Sequence, residues 1–252
     1  MERDDRPGVS HFFTPEPLLA AGALVLPEDA AHHARVKRLG VGAPVTVRDG
    51  GGTIASGTLV RMSRTHLEVE IDAPHCPPPP PSVHLLVPIA DKERMLLLAE
   101  KATELAVTTW RPVSWRRSKS VAGRGEGQLF GQKIGARMTA ALLQSENAWL
   151  PQRYPDANAE RAIAALPTDG TRLLLDLHGD PIADVPLTAP VVIALGPEGG
   201  LEADETQRLV DAGFRRVALA GGVLRMETAA VVALGLVRAR LAASVPSSPT
   251  AR

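Results

Sequence analysis

A single cysteine, Cys76, is present in the chain. That excludes an internal disulfide framework and any zinc site built from several thiolates. Net charge is equally scarce. Lys and Arg total 28 and Asp and Glu total 28, so no global field draws the molecule to nucleic acid. No apolar run approaches the ~20 residues of a membrane span. No basic start followed by an apolar core marks a secretory leader. These absences predict a cytoplasmic protein that does not enter a membrane. Three catalytic signatures are also missing. No Gly-Lys-Ser/Thr follows a glycine loop, which speaks against a P-loop NTPase, and no Gly-x-Gly-x-x-Gly opens a βαβ unit, which speaks against dinucleotide binding. No Gly-x-Ser-x-Gly elbow points to a hydrolase. His32 and His33 are adjacent, so a helix turns them to different faces, where they make a poor metal pair. No metal is expected.

What is there is 252 residues, 44% of them hydrophobic, enough to bury a core in one large domain or two modest ones. Five consecutive prolines, Pro77 to Pro81, follow Cys76. They fix φ and remove N–H donors, so the segment reads as a semi-rigid spacer. Before it, short apolar segments predict strands over Ala23–Leu26, Val45–Arg48, Thr53–Val60 and His66–Ile71, with one helix from Pro27 to Leu39. Asp49-Gly50-Gly51-Gly52 is a hairpin signal between two of the strands. This is the pattern of a small β-barrel.

After the spacer, strands and helices alternate. Strands are predicted at Val83–Pro88, Trp110–Val113, Arg172–Asp176, Val191–Leu195 and Arg216–Leu219. Helices are predicted at Lys92–Val107, Gly131–Asn147, Ala203–Ala212 and Glu227–Ala242. Such alternation implies a mostly parallel sheet covered on both faces. Ligands on these sheets sit at the carboxyl ends of strands. Two glycine-rich turns fall there: Leu195-Gly196-Pro197-Glu198-Gly199-Gly200, and Leu219-Ala220-Gly221-Gly222-Val223-Leu224-Arg225. Together they suggest one ligand held mainly by main chain. Glycines acting only as caps and turns would account for Gly213 but account poorly for this cluster. Between Arg111 and Arg137, seven basic residues face one acidic residue, Glu126. The run is either a phosphate-contacting patch or a solvated helix face with its loop.

The segments Leu195 to Gly200 and Leu224-Arg225-Met226-Glu227-Thr228-Ala229 resemble the signature of the SPOUT, or α/β-knot, RNA methyltransferases. More specifically, they resemble the family that methylates N3 of one uridine in 16S ribosomal RNA. The resemblance extends over nearly the whole chain, through His11-Phe12-Phe13, Ala31 to Leu39, Glu100 to Val107 and Leu143-Gln144-Ser145. It implies an α/β fold with a PUA-like β-barrel over residues 11–72, a Pro-rich linker over 73–82 and a trefoil-knotted methyltransferase domain over 83–243. Residues 244–252 read as a disordered tail. It also implies S-adenosylmethionine as methyl donor, 16S rRNA or the small ribosomal subunit as partner, and a homodimer. The alternatives are a non-catalytic RNA-binding factor of ribosome assembly and a knot-fold tRNA methyltransferase.

The chemistry of the residues agrees with that donor. Adenine needs apolar walls and open backbone, which Leu195, Gly196, Gly200, Leu219, Ala220 and Leu224 offer as cofactor contacts. Uracil N3 carries a proton and must lose it before it attacks a methyl carbon, so the site needs a base or a cation beside the developing anion. Arg225 is the candidate for that cation or for a phosphate contact, with pairing to Glu198 or Glu227 as its structural alternative. Glu198 and Glu227 are the candidates for orienting or accepting the proton, with a helix N-terminal carboxylate favoured by the dipole as the equal alternative for Glu227. RNA contacts are assigned to Arg35, Lys37 and Arg38 on the N-terminal helix and to Arg116, Arg117 and Lys119 in the basic run. Phe12 and Phe13 read as barrel core rather than as stacking platforms. The chain departs from the family pattern at His11, where the family has arginine, at Leu143, and in the glycine-rich 220–223 segment. Ala106 replaces a family glycine and is expected to be harmless inside a helix.

Overall fold

The computed structural model describes residues 9–118, 127–219 and 221–243. These fall into two units. The first takes the described residues up to Pro79 together with Thr139–Leu150, and the second takes Pro80–Met138 and the described residues from Pro151 onward.

Alternation of apolar and polar side chains builds the first unit. Its elements are β1 (Ser10–Phe13), β2 (Gly22–Leu26), α1 (Glu28–Val36), β3 (Pro44–Arg48), β4 (Ile54–Met62) and β5 (Leu67–Ile71). In β5, Leu67, Val69 and Ile71 are buried while Glu70 is exposed, the period-two pattern of a strand with one wet face. The strands lie in the order β1-β3-β4-β5-β2, with β1 parallel to β3 and the remaining pairs antiparallel. Phe12, Leu26, Val47 and Leu59 fill the core, and α1 adds Ala30, Ala31 and Ala34. Phe12 is core, as expected; Phe13 is half-buried. The β3–β4 hairpin is held by Asp49, whose Oδ1 accepts from the N–H groups of Gly51 at 2.8 Å and Thr53 at 2.9 Å. Trp149 packs against this turn so closely that a Cβ on Gly52, at φ +106°, would lie 2.3 Å from its ring. Only glycine permits that approach.

The second unit carries β6 (Val83–Pro88), α2 (Lys92–Glu104), β7 (Thr109–Ser114), α3 (Gly127–Gln144, whose last residues count with the first unit), β8 (Gln152–Arg153), β9 (Ala157–Asn158) and α4 (Ala159–Ala164). It continues with β10 (Thr171–Pro181), β11 (Val191–Ala194), α5 (Ala203–Asp211), β12 (Arg215–Ala218) and α6 (Met226–Ala243). The sheet runs β12-β10-β11-β6-β7-β8, with β9 also pairing β7. Every pair in it is parallel. The central strands β6 and β11 are buried along their whole length, which is why both read as continuous apolar runs.

Two expectations need correction. The helix expected over Gly131–Asn147 begins at Gly127 and ends at Gln144. The helix expected over Lys92–Val107 stops at Glu104, so Ala106 lies outside it, with φ +54°. The Val107 N–H donates to Ala102 O at 2.8 Å and the Ala106 N–H to Thr103 O at 2.9 Å. This is a left-handed helix cap, and alanine occupies the position that glycine fills without strain. The expected harmlessness of Ala106 does not hold; the residue costs about 1 kcal/mol relative to glycine. Arg238 of α6 closes the same corner, donating to the carbonyls of Leu105, Ala106 and Pro81. Its burial lowers the guanidinium pKa to about 10.

Candidate functional site

The middle of β10, the carboxyl ends of β11 and β12 and the start of α6 border a cavity of about 550 Å³, within the size range of small-molecule sites. Its walls are mostly apolar, with Leu174, Leu195, Leu201, Val217, Leu219 and Leu224 among them. Five of the six cofactor residues expected from sequence line it: Leu195, Gly196, Gly200, Leu219 and Leu224. Ala220 lies outside the described residues. Arg94, Asp176, Glu198, Thr206 and Arg225 are the polar members of the lining. Arg216 donates to Asp176 at 2.7 Å, and that hydrogen bond holds the Asp176 carboxyl below the usual carboxylate range.

The first glycine turn is built to stay in place. Gly200, at φ +75°, donates its N–H to Pro197 O at 2.8 Å, closing a turn whose backbone conformation favours glycine. α5 follows with a reciprocal cap: Glu202 accepts from the third helical N–H while Glu205 accepts from the Glu202 N–H. Arg117 donates to Gly199 O and to Glu202, both at 2.8 Å. Arg116 pairs with Asp204, and its backbone N–H donates to Glu205 at 2.9 Å. Arg116 and Arg117, the expected RNA contacts, are each engaged by carboxylates at the start of α5. Lys119 lies outside the described residues.

A second recess of about 440 Å³ is lined by Asp91, Glu93, Arg94, Leu97, Arg225 and Glu227. Arg94 and Arg225 therefore belong to both cavities. Arg94 Nη1 donates to Glu198 at 2.9 Å, and its Nε stands 4.0 Å from Glu227 Oε1. The sequence left Arg225 free to pair with Glu198 or Glu227; Arg94 takes that place. Among the described residues, the Arg225 side chain makes no ion pair or hydrogen bond. Arg94 is the site residue that sequence reasoning missed. A signal was available. Asp91 caps α2 by accepting from Glu93 and Arg94, which puts a cation in the first helical turn, where the helix dipole disfavours it.

In the first unit, Arg35 Nη1 donates to Ser63 O and Arg64 O at 2.9 Å each, stapling α1 to the β4–β5 turn. Lys37 and Arg38 are exposed beyond the end of α1. His11 Nδ1 lies 2.8 Å from Arg48 Nη1. Arginine can only donate, so Nδ1 is the acceptor and the proton of the neutral ring sits on Nε2, 3.5 Å from Glu146. Burial, and then Arg48, lower the His11 pKa against the opposing pull of Glu146. Among the described residues, no group of three or more His, Cys, Asp or Glu side chains is placed to hold a metal. None of the described helices is long and apolar enough to cross a membrane.

A parallel α/β unit with a mostly apolar cavity beside its strand ends, in a chain that also carries a small five-stranded mixed sheet, defines a class of ligand-binding α/β protein. Residues 77–238 match the family model of the RNA methyltransferase domain, and residues 26–72 match that of the RNA methyltransferase PUA domain. The chain belongs to this RNA methyltransferase family. Among its relatives is the ribosomal RNA small subunit methyltransferase E of Mycobacterium tuberculosis, 28% identical over 88% of this chain and 87% of that protein. The protein of the same name from Synechocystis is 27% identical over 90% of this chain and 76% of its own length. A crystal structure of ribosomal RNA small subunit methyltransferase E from Neisseria gonorrhoeae, bound to S-adenosylmethionine, superposes with a TM-score of 0.85. It is 25% identical and covers 92% of this chain and 98% of the other.

Proposed function

We infer that this protein transfers a methyl group from S-adenosylmethionine to N3 of a uridine in 16S rRNA. The observation that carries the reading is the single cavity lined from both glycine turns, by Leu195–Glu198 and Gly200 of the first and by Leu219 and Gly222–Arg225 of the second. The donor fits the residues present. Its adenine and ribose need an apolar slot with open backbone, and Leu195, Gly196, Gly200, Leu219, Ala220 and Leu224 are the residues that would hold it. When bound, it supplies an electrophilic methyl carbon on a sulfonium.

The chain's own groups do the rest. The apolar walls exclude water and hold the reacting atoms in line, the largest contribution available to a displacement of this kind. Arg225 offers a cation to the uracil anion as its charge develops. Glu198 and Glu227 orient the base and take its proton. For the RNA, exposed Lys37 and Arg38 are the phosphate contacts just past the end of α1, with Arg35 beside them in its staple. Arg116 and Arg117 join through whatever part of their charge the α5 carboxylates leave uncompensated, and Lys119 is assigned with them. The trefoil knot, a homodimer and a cytoplasmic location belong to the same reading, and the partner is 16S rRNA or the assembled small subunit.

The test is mass spectrometry of rRNA nucleosides from cells lacking this protein. Loss of one 3-methyluridine, restored by complementation, is the expected result. An unchanged nucleoside profile would contradict the reading.

A further inference from the structure

The smaller recess carries a feature that holding a methyl donor does not require. Glu227 is 8% exposed, and its Oε2 is buried with no hydrogen-bond partner among the described residues. Its other oxygen has Arg94 at 4.0 Å, too far for a hydrogen bond. A buried carboxylate without a donor is expensive to keep, and a ligand that brings an N–H group relieves that cost. The neighbours of Glu227 restrict which ligand this is. Arg94 and Arg225 line the same recess, so the wall presents a donor cation, an acceptor carboxylate and a second donor cation. Asp91 and Glu93 on α2 also border it, and Asp91 is occupied in capping its helix.

The imide edge of uracil is the complement of that wall: a carbonyl, an N–H and a second carbonyl. Cytosine places an acceptor where uracil has N3–H. Guanine places an amino donor where uracil has its second carbonyl, which would set a donor against an arginine. We propose that this recess is the base-reading site, in which Glu227 accepts the N3 proton of uracil while Arg94 and Arg225 bind the two flanking carbonyl oxygens. The assignment rests on the methyl-transfer reading above and deepens it. The N3–H proton passes to the Glu227 carboxylate. The N3 electron pair forms the new bond to the methyl carbon, and the carbon–sulfur bond breaks with its pair left on sulfur. The two guanidiniums stabilise the negative charge that the carbonyls take on in between. Arg94 is also bonded to Glu198 on the cofactor side, so the same side chain borders donor and acceptor.

The experiment compares the full-length protein with its Glu227→Gln variant on small subunits that lack the modification, with 3-methyluridine formation and S-adenosylmethionine affinity both measured. The variant is expected to lose about 100-fold or more in methyl transfer, the scale of a removed general base, with donor affinity unchanged. Its residual rate is expected to climb with pH. Placing 5-fluorouridine, whose N3–H is more acidic, at the target position should recover much of the loss. A purely structural carboxylate would not respond to the acidity of the substrate. Wild-type turnover by the variant, a matching loss of donor affinity, or no recovery with 5-fluorouridine would each overturn the assignment. Methyl transfer by the wild type to an atom other than uracil N3 would overturn it while leaving the enzyme a methyltransferase. No transfer to any RNA would remove the underlying reading, and this assignment with it.

Discussion

The turns Pro197–Gly200 and Gly221–Arg225 both contribute to the wall of one cavity, and they are held in opposite ways. The first turn is closed by its own hydrogen bond, continued into a reciprocally capped helix, and gripped from outside by Arg94 and Arg117. In the second, the backbone of Gly221–Val223 makes no hydrogen bond among the described residues, Val223 is 86% exposed, and the Arg225 side chain has no partner there. The braced turn suits the constant part of the reaction, the methyl donor, whose backbone contacts need fixed groups. The open turn, whose Leu219 and Leu224 line the same cavity, suits a segment that closes once the donor is seated, and it leaves an unpaired cation at the border of the two cavities. Local stability is low where a segment has to move, and here the difference follows from where the arginines point.

Removing the cation of the open turn separates the two roles most sharply. Arg225→Ala is expected to lower methyl transfer by about 100-fold, as removal of one charge-stabilising donor does elsewhere, with S-adenosylmethionine affinity hardly altered in calorimetry. Equal loss of both would show that Arg225 braces the second turn rather than meeting the uracil. Loosening the braced turn should act the other way. Arg94→Ala removes a partly exposed charged hydrogen bond worth about 1 kcal/mol after solvent screening, so donor affinity should fall by about fivefold, and methyl transfer should fall further, because the same guanidinium is assigned to a uracil carbonyl in the base-reading recess. Arg94→Lys should recover less affinity than a simple charge count suggests, because lysine cannot reach two carboxylates with a planar fork. Unchanged donor affinity in Arg94→Ala would mean that the 196–200 turn stands without its brace. The smallest effect lies away from both turns. Ala106→Gly should relieve the left-handed cap after α2 and raise the melting temperature by about 2–4 °C per kcal/mol gained, with activity unaffected. A lower melting temperature would mean that the flexibility glycine adds to the unfolded chain outweighs the strain it removes.

Much of this was legible in the order of residues. The buried runs Val83–Pro88 and Val191–Ala194 announced central parallel strands, and the glycines after Leu195 and Leu219 marked strand ends where a ligand sits. The strands over Ser10–Phe13, Gln152–Arg153 and Ala157–Asn158 were not predicted, because two- to four-residue segments take their conformation from the neighbour they pair with. Arg94 was missed for a different reason. It meets Glu198 across 104 positions of sequence, and no local pattern encodes such a pairing; the trace it leaves is a cation placed against a helix dipole. Ala106 was misread because a residue adjoining a helical pattern looks helical until the cap hydrogen bonds are seen. Charge counted along the basic run over 111–137 does not see the carboxylates that α5 sets against Arg116 and Arg117.

The central claim is that the two turns form one pocket for S-adenosylmethionine, one turn preset and the other closing on it. Amide hydrogen exchange of the full-length protein, with and without S-adenosylmethionine, tests this directly. The account predicts protection on binding in both 195–201 and 219–225, with a small gain in the first segment, already slow to exchange, and a large gain in the second. Protection confined to other parts of the chain, or equal and fast exchange of both turns in the free protein, would contradict it.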